Sequence, residues 1–196
     1  MMKEKRQALG LRLVAGAVCS FVLATAPGQA AAVRASSAMT LPRCARTVSL
    51  YYGGRIPNSW QDWSWAPHAL AVPAPSGGPA QAMQVNFANY SGIFLHSARA
   101  LHLRDGYVEM LLNGGSQGGQ QLTISFVSGK ATFGHGVDLR TLFAQGLPRA
   151  RWVGVVVRLH DSLAAGVAVT GVVLQDGSGI LQPAVYVGAI SLCEAA

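Results

Sequence analysis

The chain has 196 residues, 51% of them hydrophobic and 12% charged, with 15 basic against 8 acidic side chains and a formal net charge of +7. The basic residues are scattered singly rather than set in a stripe, which argues against a nucleic-acid partner. The length suits one domain with a sizeable core once a short N-terminal signal is set aside.

That signal comes first along the chain. Lys3, Lys5, Arg6 and Arg12 accompany an apolar run over 13–26, and small residues follow as far as Ala32. Residues 1–30 therefore read as a secretory signal peptide. The apolar run is shorter than the roughly 20 residues of a membrane span, so no transmembrane anchor is expected after cleavage. Without the signal, 11 basic and 7 acidic residues remain, a net +4. Residues 31–45 read as a flexible leader and 46–196 as the folded domain. The expected location is extracellular or periplasmic. In such an oxidising compartment the remaining even pair, Cys44 and Cys193, predicts one disulfide. It would make the first and last strands neighbours.

The domain reads as strands almost throughout. Val48, Leu50 and Tyr52 alternate with polar or small residues, as do Met83, Val85 and Phe87. Short apolar runs lie at 93–95, 107–112 and 122–127. Val153, Val155, Val157 and Leu159 share a face, and runs at 167–174 and 185–192 close the chain. Period-2 alternation with β-branched enrichment predicts strands. Glycine turns punctuate them at Ser76-Gly77-Gly78, Asp105-Gly106, Asn113-Gly114-Gly115 and Asp176-Gly177-Ser178-Gly179. The fold class is all-β, an antiparallel sandwich or barrel. Helical signals are confined to 139–145 and a turn at 161–163.

Catalytic patterns are absent from the sequence. The glycine-rich run 114–119 is followed by neither a Lys-Ser/Thr pair nor a helix, as a phosphate loop requires, so a hairpin loop is expected there. His68, His96, His102, His135 and His160 show no zinc spacing, and no metal or other cofactor is expected. No pair of carboxylates is marked for glycoside hydrolysis, and no Gly-x-Ser-x-Gly elbow occurs.

The strongest single feature is Trp60-Gln61-Asp62-Trp63-Ser64-Trp65, which holds three of the four tryptophans. On a strand, Trp63 and Trp65 point to one face about 7 Å apart and Ser64 to the other. Two such rings make a platform for the C–H faces of sugars, with Gln61 and Asp62 placed to bond hydroxyls. The same rings can equally be core anchors. Trp60, out of phase with the pair, reads as the core member.

The runs 59–65, 92–96 and 114–122, followed by 174–179 and 182–187 with Tyr186 in a structural place, resemble a carbohydrate-binding-module-like domain of the galactose-binding-like β-sandwich type. The resemblance covers about residues 46–194. It implies a jelly-roll sandwich and a polysaccharide or cell-surface glycan as ligand. In related sandwiches, acidic residues on the first and last strands can hold a structural calcium. Here Gly53-Gly54 and Gly188-Ala189 stand in those places, and the Cys44–Cys193 bridge would staple the same strands instead. The reading is a secreted, non-catalytic carbohydrate-binding module. The alternatives are a structural or adhesive protein-binding domain, and a small glycan-active enzyme whose carboxylates meet only in the fold.

Overall fold

The computed structural model describes residues 44–103, 106–129, 132–164 and 166–195. The segment read as a signal peptide, and nearly all of the one read as a leader, lie outside the described residues. The first strand opens at Cys44, two residues inside the segment read as leader.

Among the described residues, the sequence periodicity produces twelve strands and two single-turn 3-10 helices. The strands are β1 (Cys44–Tyr52), β2 (Gln61–Asp62), β3 (His68–Pro73), β4 (Gln81–Val85), β5 (Gly92–Leu101) and β6 (Gly106–Asn113). They continue with β7 (Leu122–Ser128), β8 (Thr132–Phe133), β9 (Val137–Asp138), β10 (Trp152–Arg158), β11 (Val169–Asp176) and β12 (Val185–Ala195). Two six-stranded sheets result. The first runs β10-β6-β12-β4-β3, with β1 also on β12; the second runs β2-β5-β11-β7-β8, with β9 also on β7. Every pairing is antiparallel.

The sheets bury one face each against the other, as an antiparallel sandwich must. Leu50, Met83, Val85, Met110 and Leu112 of the first sheet meet Ile93, Leu95, Ile124, Phe126 and Leu174 of the second. Trp60 joins this core at 5% exposure. Fully burying one such aliphatic side chain contributes roughly 1.5–3 kcal/mol.

Two expectations are corrected. The alternation Val48, Leu50, Tyr52 breaks at a bulge between Ser49 and Tyr51. The extra residue shifts the pleat, so Leu50 and Tyr51 both turn inward and Tyr52 is left 67% exposed. The Tyr51 hydroxyl then donates to the Leu70 carbonyl at 2.7 Å. The glycine-rich run is not a hairpin loop either. It leads from β6 in the first sheet to β7 in the second. Gly115, Gly118 and Gly119 take left-handed φ of 61°, 71° and 82°, a region glycine enters without steric cost. Fully buried Gln120 anchors the crossing: its Nε2 donates to the carbonyls of Gly114, Pro183 and Ala184.

Cys44 and Cys193 form the predicted disulfide, with Cα atoms 5.5 Å apart, and tie β1 to β12. Among the described residues, no group of three or more His, Cys, Asp or Glu is placed to hold a metal. Tyr186 sits half-buried on β12 between Gln84 of β4 and Asn113 of β6. The helical signals shrink to 3-10 turns at Leu139–Thr141 and Leu159–Asp161.

Candidate functional site: an aromatic face on the second sheet

Alternation on three neighbouring strands generates the site. On β5, Ile93 and Leu95 enter the core, which leaves Gly92, Phe94 and His96 outside. On β11, Val172 and Leu174 enter the core, and on β7, Ile124 and Phe126 do. The register then aligns three rows across the outer face. These are His96–Gly171–Val127, Phe94–Val173–Ser125 and Gly92–Gln175–Thr123. Phe94, Val127 and Val173 make a small apolar cluster separate from the main core.

The tryptophan segment runs along the free edge of β5. Only Gln61 and Asp62 form a regular strand, opposite His96 and Leu95. The amides of Trp63 and Trp65 nevertheless continue the edge, donating to Phe94 O and Gly92 O at 2.9 Å each. Ser64 turns back between them: its Oγ accepts from Phe94 N at 3.0 Å.

Both indoles thereby lie on the outer face. Trp63 stacks on His96, with centroids 3.8 Å apart and planes 26° apart, and meets Phe94 edge-on at 5.8 Å. Trp65 lies over Gly92, where an added Cβ would stand 2.8 Å from the ring. Phe94 lies likewise over Gly171, at 2.4 Å from an added Cβ. The glycines leave room for the Trp65 and Phe94 rings. Trp63 rests on His96 and Trp65 on Gly92, and the two indoles remain 48% and 45% exposed.

Polar contacts fix the ring edges. Trp63 Nε1 donates to Gln61 Oε1 at 3.1 Å. Trp65 Nε1 and Gln175 Nε2 both donate to the Tyr90 carbonyl, at 3.1 and 2.8 Å. Tyr90 holds a left-handed φ of 61° and is largely exposed at the Trp65 end. Its amide donates to Asp176 Oδ2 at 3.0 Å, and its ring lies over Gly179. Asp176, buried, also accepts from the amides of Ser178 and Gly179. Burial pushes its carboxyl upward, but these hydrogen bonds outweigh that and hold it below the ordinary carboxylate range.

Gln61 and Asp62 part company. Gln61 stays beside Trp63 at the outer edge. Asp62 faces its own segment, accepting from Ser64 N at 3.0 Å and contacting His68 Nε2 at 2.7 Å. The other nitrogen of that ring, Nδ1, lies 2.8 Å from the Ala66 carbonyl. Burial raises the Asp62 carboxyl, but hydrogen bonds from Ser64 and the bond and charge of His68 more than reverse this. The Asp62–His68 contact closes the loop that carries both indoles.

Sequence reasoning missed His96, Tyr90, Gln175 and Phe133. Phe133 of β8 is exposed and packs against Phe94 with centroids 5.9 Å apart. His96 and Phe94 carried a readable signal, since they alternate with core residues Ile93 and Leu95. Tyr90 and Phe133 carried none, because they reach the face through turns and strand pairing.

No protein-family model matches the chain. A single-residue variant of the family 29 carbohydrate-binding module CBM29-2 superposes with a TM-score of 0.52 at 13% identity, covering 77% of this chain and 94% of the module. A family 29 module from Piromyces equi gives 0.52 at 9% identity, covering 76% and 91%. The chain shares their fold. In sequence it is 29% identical over 149 residues to a protein named endoglucanase from Dictyostelium discoideum, spanning 74% of this chain and 21% of that protein. The chain thus spans about a fifth of the length of that relative.

Proposed function

We propose that this chain is a secreted, non-catalytic carbohydrate-binding module that holds a polysaccharide along the outer face of the second sheet. The observation that carries this reading is the paired exposure of Trp63 and Trp65, one supported by the His96 ring and the other by Gly92. Sugar rings present C–H faces to such surfaces. Tyr90 extends the row at the Trp65 end, and Gln61 and Gln175 supply amides beside the rings. Support also comes from the shared fold with family 29 modules and from a relative named endoglucanase. The disulfide fits an exported protein.

Binding follows the arrangement better than catalysis does, because Asp62 is occupied by its own loop and Asp176 is buried. The test is retention of the domain on insoluble cellulose and other insoluble polysaccharides, before and after removal of both indoles. Unchanged retention by a folded double variant, Trp63→Ala with Trp65→Ala, overturns the proposal and favours a protein-binding surface.

A further inference from the structure

Beyond the Trp63 end of the aromatic face, the surface falls into a trough made of two adjoining concavities. The first, about 500 Å³, is lined by Gln61, Trp63, His96, Ala98 and Thr170 among others. The second, about 360 Å³, is lined by Asn58, Ser59 and Arg99 and shares Gln61 and Ala98 with the first.

The lining carries one cationic side chain, Arg99. None of its described residues is acidic, and the nearest carboxylate in sequence, Asp62, is engaged by His68 and Ser64. The Gln61 Oε1 already accepts from Trp63, which leaves the amide NH₂ as its free group. Ser97 and Thr170 spend their hydroxyl hydrogens on the carbonyls of Arg99 and Gly129, which leaves the side-chain amides and Arg99 as the donors available to a ligand. Among the described residues, no carboxylate pairs with the Arg99 guanidinium. Its backbone is fixed at the rim, because its amide donates to Ser97 Oγ at 3.2 Å while its carbonyl accepts from the same hydroxyl. One buried polar atom also lacks a partner here: His96, 7% exposed, has no hydrogen bond at Nδ1. Orphaned buried polar atoms are rare and call for an explanation. A polar group seated in the trough, which His96 lines, would supply one.

We infer that this trough is a subsite for a sugar bearing an anionic substituent, a carboxylate or a sulfate ester, paired with Arg99 and reached by the amides of Gln61 and Asn58. An anionic group complements the unpaired Arg99 cation, and a charge-assisted bond is the stronger kind. The inference rests on the platform reading and deepens it by naming the ligand class.

Three soluble polymers with one backbone test it: hydroxyethyl cellulose, carboxymethyl cellulose and cellulose sulfate, compared by affinity electrophoresis. The unaltered domain is expected to prefer at least one anionic polymer by roughly tenfold over the neutral one, and the preferred arm tells carboxylate from sulfate. Arg99→Ala should abolish that preference and leave hydroxyethyl cellulose binding unchanged. Arg151→Ala, which removes an equal charge from an exposed position outside the trough, should keep it. Equal affinity for all three polymers, or equal loss in both variants, overturns the subsite while leaving the platform standing. Failure to retain any polymer overturns both.

Discussion

The imidazole of His96 forms a shelf beneath the indole of Trp63, 3.8 Å away and inclined by 26°. Stacking of this kind, worth about 0.5–1.5 kcal/mol beyond area burial, gives an exposed tryptophan a fixed tilt. Trp65 is supported differently, by lying over Gly92. Two unlike supports thus hold two exposed indoles on one face of the sheet.

Replacement of the indoles should separate binding from stability. Trp63→Ala or Trp65→Ala should weaken polysaccharide retention by roughly 1–3 kcal/mol, by analogy with bases stacked on aromatics, with a melting temperature close to the original. Trp60→Ala should instead cost about 3–5 kcal/mol of stability, because Trp60 is part of the core. One melt and one pull-down per variant suffice.

Gly92→Ala should act on Trp65 alone. The new Cβ would stand 2.8 Å from the indole and 3.2 Å from the Leu174 carbonyl. The ring is exposed and able to swing away, so the expected outcome is lost retention with modest loss of stability. Gly171→Ala meets Phe94 at 2.4 Å. Phe94 is buried, so this change should destabilise by roughly 1–3 kcal/mol as overpacking does. A Gly92→Ala variant with full retention would show that Trp65 does not need its flat seat.

The loop that carries the indoles depends on an ionised Asp62. Its carboxyl lies below the ordinary range in the fold. A depressed carboxylate contributes stability that is complete above its unfolded value, near 4, and is lost as pH falls through the folded value. Asp176 has the same sign. Melting temperature and retention should therefore hold from neutral pH to about 5 and fall below about 4. Asp62→Asn should reduce the retention part of that acid sensitivity, and a variant with an identical pH profile would count against the role assigned to the Asp62–His68 contact.

Removal of the Cys44–Cys193 bridge should lower stability without altering the ligand face. The loop it closes spans 149 residues, which on the chain-entropy model corresponds to about 5 kcal/mol. Cys44→Ala with Cys193→Ala is expected to melt earlier and, below its melting point, to bind as before. Intact mass with and without reductant checks that the bond forms in the purified protein.

The amino-acid pattern by itself determined the local structure. Alternation such as Met83, Val85, Phe87 is a property of the pleat, which puts every second side chain on one face whatever the neighbouring strand is. It therefore showed the all-β class and the two-faced strands, and it set Trp60 apart from Trp63 and Trp65. The pairing of Cys44 with Cys193 was legible because only two cysteines follow the segment read as a signal. Only the tertiary structure decided which sheet each strand joins, because hydrogen bonding between strands is non-local. It sent the run 114–119 across from one sheet to the other, and the bulge in β1 turned Tyr52 outward against its own alternation. It also brought His96, Tyr90, Phe133 and Gln175 around the indoles and Arg99 beside Gln61. No spacing in the sequence announces these neighbours, since the register that aligns Gly92 with Gln175 joins residues far apart along the chain.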